Sequence, residues 1–210
     1  MKKKRRPFYE SSLSSHLLLL LLLPLAAQAN TPQVIPSIQW EKTNLQTVET
    51  YILPRYKKLS KEAAELKTAL QNECAHPTTL TTKEKEKQKT YTLTDSKKHF
   101  RQLYLQWATV QHIHFGPMIY LKRKERFQYW PDKHKVGGKQ LRRLLTSKSL
   151  PKTLRELQQK SVAIQGLPAL EKIIYSQPTS LSDKHCQLAI MIADNSVSYT
   201  HLTLPTTPYV

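Results

Sequence analysis

The sequence predicts an all-α protein, an antiparallel helical bundle with interrupted helices. Apolar residues recur every three or four positions through most of the chain, which is the period of one helical face. Only four glycines occur in 210 residues, and no segment alternates apolar and polar residues for long enough to predict a strand. Proline and glycine fall inside several apolar runs, so we expect the helices to be interrupted there.

The first 29 residues have the three parts of a secretory signal peptide. Basic residues at positions 2–6 precede seven consecutive leucines, Leu17–Leu23, and an A-x-A pattern ends at Ala29. The apolar stretch is shorter than the roughly 20 residues that span a bilayer, and Pro24 interrupts it, which argues against the alternative of an uncleaved anchor. We therefore expect cleavage after Ala29 and a soluble periplasmic protein.

The domain is expected to cover residues 30–195, followed by a different kind of segment at 196–210. From Ser196 the chain becomes rich in Thr and Pro, and we interpret this segment as a non-native or disordered tail. If this segment is non-native, we expect the native chain to continue from about Ser196 with a different sequence.

The chain is strongly basic, with 33 Lys and Arg against 15 Asp and Glu and a net charge of +18. Without residues 1–29 it has 28 basic and 14 acidic residues, a net charge of +14. Such a charge often indicates nucleic-acid binding, but export separates the protein from that partner. In an exported protein, the positive charge favours binding to anionic membrane surfaces, cell-wall polymers or acidic ligands. The partner is therefore expected to be a ligand or an envelope protein.

Two cysteines follow the signal peptide, Cys74 and Cys186. A small even number in an exported protein predicts one disulfide, and two buried thiols are the alternative.

The first long helix is predicted from Leu45 to Cys74, with a kink or restart at Pro54. Residues 77–95 are interpreted as a solvated loop with one helical turn, ahead of a helix capped by Asp95 or Ser96 that ends at Gly116-Pro117. Further helices are predicted around Leu141, from Pro151, after the break at residues 165–168, and around Cys186. Gly137-Gly138 is expected to close the loop before the helix around Leu141.

The pair His112 and His114 looks like a metal site but does not fit one. On a helix, residues two apart point to nearly opposite sides, so the two imidazoles cannot share an ion, and His114 is expected to be partly buried.

The aromatic and basic segment 115–132 is a second candidate for a functional site. Its cations Arg123 and Arg126, with Trp130 and Asp132, could bind phosphates, carboxylates or sugars, or its aromatics could pack on the bundle while the cations stay solvated.

Five segments in order resemble the imelysin-like family, also called the M75 peptidase family, in its branch of predicted periplasmic proteins and lipoproteins. They are Ile52–Cys74, Leu105–Pro117, Phe127–Asp132, Ser161–Ser176 and His185–Asn195. The resemblance covers the first half of such a protein and implies a helical bundle.

The resemblance also implies a functional motif, G-x-H-x-x-E, which here becomes Gly166-Leu167-Pro168-Ala169-Leu170-Glu171. In the family motif, His and Glu lie on one helix face and could bind a metal together. Pro168 has no lone pair to offer, which leaves Glu171 as a weak candidate ligand for a divalent metal or iron. We expect Pro168 to begin a restarted helix, and Glu171 to cap it or to pair with Arg123 or Arg126.

Three functions follow from these observations. The leading hypothesis is a non-enzymatic periplasmic protein that binds a ligand, in a role linked to metal or iron uptake. The alternatives are a metallopeptidase whose metal ligands are completed by a second half, and a basic module that binds envelope polyanions.

Overall fold

The computed structural model describes residues 37–77, 79–83, 86–175 and 181–201, and side-chain environments within 39–77, 91–175 and 181–201. The predicted signal peptide and its cleavage site, and residues 202–210, lie outside the described residues. The chain divides after Trp40 into two units. The described part of the first unit is the opening of helix α1, and the second unit contains all the contacts discussed below.

The described chain is helical apart from one hairpin, which confirms the predicted fold class. The elements are α1 (Ser37–Thr47), α2 (Leu53–Ala75), β1 (Thr79–Lys83), β2 (Glu86–Thr90), α3 (Thr94–Ala108), α4 (Arg123–Phe127), α5 (Val136–Leu145), α6 (Leu154–Gln158), α7 (Leu167–Tyr175) and α8 (Asp183–His201). A π-helical turn, Val48–Ile52, joins α1 to α2, and 3-10 turns occur at Gly116–Met118, Tyr120–Lys122 and Val162–Ile164.

The restart predicted at Pro54 is confirmed. Pro54 lies in the first turn of α2, directly after the π-helical turn Val48–Ile52, and the backbone stays helical on both sides of that turn. The apolar stripe that follows is buried: Leu59, Leu66 and Leu70 have no exposed surface. This stripe packs α2 against both α3 and α8.

Helix α3 carries the second half of the core. Phe100, Leu103 and Trp107 are buried, and Trp107 lies against Phe127 of α4 with ring centroids 4.7 Å apart. The aromatic segment after α3 therefore contributes Phe127 to the core, as one of the two interpretations of that segment expects.

The cysteines form the predicted disulfide. Cys74 at the end of α2 and Cys186 at the start of α8 are bonded, with Cα atoms 5.8 Å apart and a sequence separation of 112. The bond fixes one end of the α2–α8 contact.

Several local predictions are wrong. Residues 79–83 and 86–90 pair as antiparallel strands, with Thr79 opposite Thr90, where a loop with a helical turn was predicted. Helix α3 ends at Ala108 instead of Gly116-Pro117, and beyond it His114 is exposed rather than partly buried. Gly137-Gly138 lies inside α5 rather than closing the loop before it.

The cap of α3 also differs from the prediction. Neither Asp95 nor Ser96 caps the helix with its side chain. Glu73 of α2 does so instead, because its carboxylate accepts hydrogen bonds from Asp95 N at 2.8 Å and Ser96 N at 3.0 Å. A tertiary contact thus satisfies backbone donors that a local side chain was expected to satisfy.

The last helix is longer than predicted. Helix α8 runs to His201, and Ser196, Tyr199 and Thr200 are buried in it, so the helical pattern does not stop at Asn195. Among the described residues, none of the helices has the length and apolarity that crossing a membrane requires.

Candidate functional site

The segment Gln165–Glu171 forms the turn into α7, as predicted. A 3-10 turn ends at Ile164, and α7 begins at Leu167 with Pro168 in its first turn. The carbonyl of Gly166 accepts hydrogen bonds from Ala169 N and Leu170 N, both at 3.1 Å. Proline is tolerated at this position because its missing N–H would have no partner in the first turn.

Gly166 is required by a close backbone contact. A Cβ atom at this position would lie 2.1 Å from the carbonyl oxygen of Phe127 and 2.4 Å from that of Arg126. Both obstacles are backbone atoms, which a side-chain rotation cannot move aside. Only glycine therefore lets the end of α4 lie against the start of α7 in this way.

Gln165 is fully buried and holds the turn in place with a polar network. Its Nε2 donates to the carbonyls of Lys160 (2.6 Å) and Gln158 (3.2 Å). Its Oε1 accepts from Arg126 Nη1 at 3.1 Å and from the Tyr199 hydroxyl at 3.2 Å. Every polar atom of this amide is thus used, as burial requires.

Asn195 of α8 completes this network. Its Nδ2 donates to the backbone carbonyl of Gln165 at 3.1 Å, and its Oδ1 accepts from Gln158 Nε2 at 2.9 Å. Sequence inspection did not single out Gln165 or Asn195. Their residue types were visible, but nothing local indicates that they are buried and face each other.

Glu171 lies on the exposed face of α7, at the edge of a groove. The groove has a volume of about 420 Å³ and is lined otherwise by Phe100, Arg101, Tyr104, Leu105 and Tyr175. The ring of Phe100 contacts those of Tyr175 and Tyr104, with centroids 5.7 and 6.2 Å apart. The walls are thus mostly aromatic and apolar, with one carboxylate and one guanidinium at the edge.

The predicted pairing of Glu171 with Arg123 or Arg126 is wrong. Arg123 donates to the carbonyl of Pro117 at 2.8 Å, and its guanidinium lies 5.6 Å from the centre of the Tyr120 ring. Arg126 donates to Leu121 O, Gln158 O and Gln165 Oε1. The ion pairs within the described chain involve other carboxylates, which leaves Glu171 without one.

The remaining candidates of the aromatic and basic segment have different environments. Asp132 accepts hydrogen bonds from the backbone N–H groups of Val136 (2.7 Å) and Gly137 (3.0 Å), so it caps the start of α5. Trp130 precedes a cis peptide bond to Pro131 and is 77% exposed. The structure therefore does not bring the seven predicted site residues into one pocket.

The residues at the motif do not fit a metal ion. Pro168 and Glu171 share a face of α7, but only the carboxylate can act as a ligand. In the part of the chain that the structure describes, no other His, Cys, Asp or Glu joins Glu171 in a ligand cluster. His112 and His114 lie beyond the end of α3, so the helical geometry from which their opposite orientation was predicted does not apply to them.

Two further surface features escaped sequence inspection. Glu62 and Glu65 of α2 lie close to His99 of α3. A cavity of about 750 Å³ is bordered by four lysines, Lys67, Lys148, Lys152 and Lys184. Helix packing brings each set together, and none of them forms a recognisable motif in the sequence.

The fold and the turn together describe an all-helical protein in which the turn Gly166–Glu171 leads into a helix packed against the bundle. The sequence matches the imelysin family (Peptidase M75) over residues 52–203, and the chain belongs to that family. This confirms the resemblance seen in the sequence.

The fold is similar to the crystal structure of an imelysin-like protein from Psychrobacter arcticus 273-4, with a TM-score of 0.66 and 21% sequence identity. The match covers 80% of this chain and 49% of that one, so the chain spans about half the length of this relative. A comparison with curated proteins gave no match.

Proposed function

We propose that this chain is an exported imelysin-family protein of the periplasm, and that it binds a ligand without catalysing a reaction, in a role linked to metal or iron uptake. Export is supported by the basic, leucine-rich and A-x-A parts of residues 1–29. A reporter enzyme active only outside the cytoplasm, fused after residue 40, tests this part. A reporter that stays inactive would contradict export.

The observation that carries the binding role is the chemistry at the motif. The chain keeps Gly166 and Glu171 of the family motif, but Pro168 stands where the motif has histidine. A single carboxylate is too few ligands to bind and activate a metal ion as a hydrolase requires. The turn thus retains a structural use while lacking the donor set for catalysis.

The groove beside Glu171 suits a ligand with an apolar, planar body and a hydrogen-bond donor or cation. Phe100, Tyr104 and Tyr175 offer ring surfaces, and the carboxylate of Glu171 has no ion pair within the described chain. A planar iron chelator with an apolar body has this chemistry and connects the groove to the proposed role.

Thermal-shift screening of aromatic ligands, including iron chelates, tests the groove. The thermal midpoint should rise with a matching ligand, and Glu171→Gln should weaken its binding by about tenfold, because it removes a charge-assisted hydrogen bond. Glu125→Gln changes an exposed carboxylate outside the groove and is the matched control. Equal ligand binding by Glu171→Gln and the original protein would rule out Glu171 as a binding residue.

The metallopeptidase alternative predicts metal-dependent catalysis, whereas the leading proposal predicts ligand binding without catalysis. If a second half supplies the missing ligands, the full-length protein should bind zinc or iron through Glu171 and hydrolyse unfolded substrates. Metal analysis and a peptidase assay of that protein test this, and a protein without metal-dependent hydrolysis would end the alternative.

The lysine-bordered cavity favours a second candidate function, the binding of an envelope polyanion. Lys67 bonds to Asp194 at 2.7 Å, and Lys184 donates to the carbonyl of Ser147 at 2.7 Å. Within the described chain, Lys148 and Lys152 form no ion pair. Binding to vesicles rich in anionic lipid should fall steeply with salt and with the change Lys148→Ala/Lys152→Ala. Binding that does not depend on salt would contradict this candidate.

A further inference from the structure

Three potential metal ligands meet between α2 and α3, away from the groove. Glu62 and Glu65 are three residues apart on α2 and therefore share one face. His99 of α3 faces them, with its Nδ1 atom 3.5 Å from Glu65 Oε2 and 3.9 Å from Glu62 Oε2. One ligand atom from each residue lies within 4.8 Å of the others.

The imidazole nitrogen that faces the carboxylates meets them only at ion-pair distances. His99 Nδ1 is buried and forms no hydrogen bond. A buried polar atom without a hydrogen bond is unfavourable, so a bound cation at this nitrogen would be stabilising.

The spacing of the three groups is close to that of ligands around one ion. Ligand atoms about 2.1 Å from a metal in a tetrahedral arrangement are about 3.4 Å apart. The two measured separations from His99 Nδ1 are near this value, and both are long for a hydrogen bond.

The electrostatics of the cluster also call for a cation. The side chain of Glu62 is only 13% exposed, and that of Glu65 is 38% exposed. Two partly desolvated carboxylates side by side repel each other unless a positive charge lies between them. Besides His99, the nearby cation is Lys61, whose Nζ lies 3.6 Å from Glu65 Oε1 and whose side chain is 73% exposed, so water screens it.

We propose that Glu62, Glu65 and His99 form a binding site for a divalent transition-metal ion, such as Zn²⁺, Fe²⁺ or Mn²⁺. One imidazole and two carboxylates suit these ions, whereas Ca²⁺ requires six or more oxygen ligands. Three protein ligands leave coordination positions open toward an adjoining cavity of about 500 Å³ that Glu65 and His99 border. Glu73 also borders this cavity, but its carboxylate is already used to cap α3.

The site is independent of the proposed function at the groove. Both sites use α3, but Glu62, Glu65 and His99 do not line the groove, whose carboxylate Glu171 lies on α7. Failure of the metal site would therefore leave the groove hypothesis in place, and Glu171→Gln and Glu62→Gln separate the two.

Isothermal titration of the purified, oxidised chain without a histidine tag tests the proposal, with Zn²⁺ and Mn²⁺ as probes. We expect one saturable site, with affinity reduced by about 10- to 100-fold or more in Glu62→Gln and in His99→Asn, because each removes a direct ligand. Glu125→Gln and His114→Asn, which change exposed side chains outside the cluster, are matched controls and should bind as the original protein does. Far-ultraviolet circular dichroism confirms that each variant is folded.

Replacement of Zn²⁺ by Co²⁺ gives a second readout. Co²⁺ in the site should produce visible absorption bands of a low-symmetry centre, and His99→Asn should change or abolish them. The proposal is overturned if no saturable metal binding occurs, or if Glu62→Gln and His99→Asn bind metal as tightly as the two controls. In either case Glu62, Glu65 and His99 do not form a metal site.

Discussion

At the residue scale, Gly166 lies so close to two backbone carbonyls that no residue with a side chain fits at this position. We expect Gly166→Ala to lower the free energy of unfolding by about 3 kcal/mol or more, since the added methyl group meets two backbone carbonyls and the turn must shift. Urea unfolding followed by circular dichroism measures the change.

Gly138→Ala is the control for this prediction. Gly138 lies inside α5, and the nearest atom to an added Cβ is the Cε of Lys172 at 3.4 Å, the far part of a flexible side chain. Alanine is favoured over glycine in a helix by about 1 kcal/mol, so this variant should be as stable as the original or more so. Similar losses in both variants would show that the contact with α4 does not set the requirement for glycine.

His185 makes stability depend on pH. Burial lowers its pKa below the ordinary value of about 6.5, so between the two values the unfolded chain binds more protons than the folded one. Stability should therefore be complete above about pH 6.5 and fall as the pH decreases toward the folded-state pKa.

The change His185→Gln should reduce this loss, because glutamine does not titrate. Urea unfolding at about pH 7 and about pH 5 gives the two free energies, and the exposed His114→Gln is the control. An equal loss between the two pH values in His185→Gln and the original protein would assign the acid sensitivity to other groups.

At the same scale, sequence reasoning was right about Pro168 and wrong about the partner of Glu171. The place of a proline in a first turn is a local property of the backbone, and it can be inferred from a few residues. An ion pair between Glu171 and Arg126 depends on the relative placement of α7 and α4. In the folded chain, the guanidinium of Arg126 is bound to Gln158 and Gln165 instead.

At the scale of the element, Asp132 illustrates how a candidate ligand becomes a helix cap. Its two hydrogen bonds to the start of α5 predict that Asp132→Ala lowers the free energy of unfolding by about 1 kcal/mol, within a range of 0.5–2 kcal/mol. Asp132→Asn keeps an acceptor and should lose less. Chemical denaturation of both variants is the measurement, and an unchanged alanine variant would contradict the capping role.

The ends of α3 show why element boundaries were predicted less well than element types. Its apolar stripe predicted a helix, but its N-terminal cap comes from Glu73, which is 21 residues before Thr94. Its early end at Ala108 follows from turns at residues 109–112 that place Val110 and Ile113 in the core. Both boundaries are decided by contacts with other elements.

At the scale of the whole molecule, the disulfide is a covalent link between distant parts of the chain. A link between residues 112 positions apart is expected to contribute roughly 4–5 kcal/mol, mainly by restricting the unfolded chain. The double variant Cys74→Ser/Cys186→Ser should lose about this amount in urea unfolding. Reductant should destabilise the original protein and leave the double variant unchanged. An equally stable double variant would contradict the prediction.

The sequence by itself determined the fold class, the restarts at Pro54 and Pro168, the disulfide and the family, because each of these depends on local periodicity, backbone chemistry or ordered motifs. Only the tertiary structure decided that Gln165 and Asn195 form a buried network and that Asp132 is a cap. It also brought Glu62 and Glu65 to His99, and Glu171 to an aromatic groove. These arrangements come from how helices distant in the chain pack, and the pattern of any single segment carries no information about its neighbour in space.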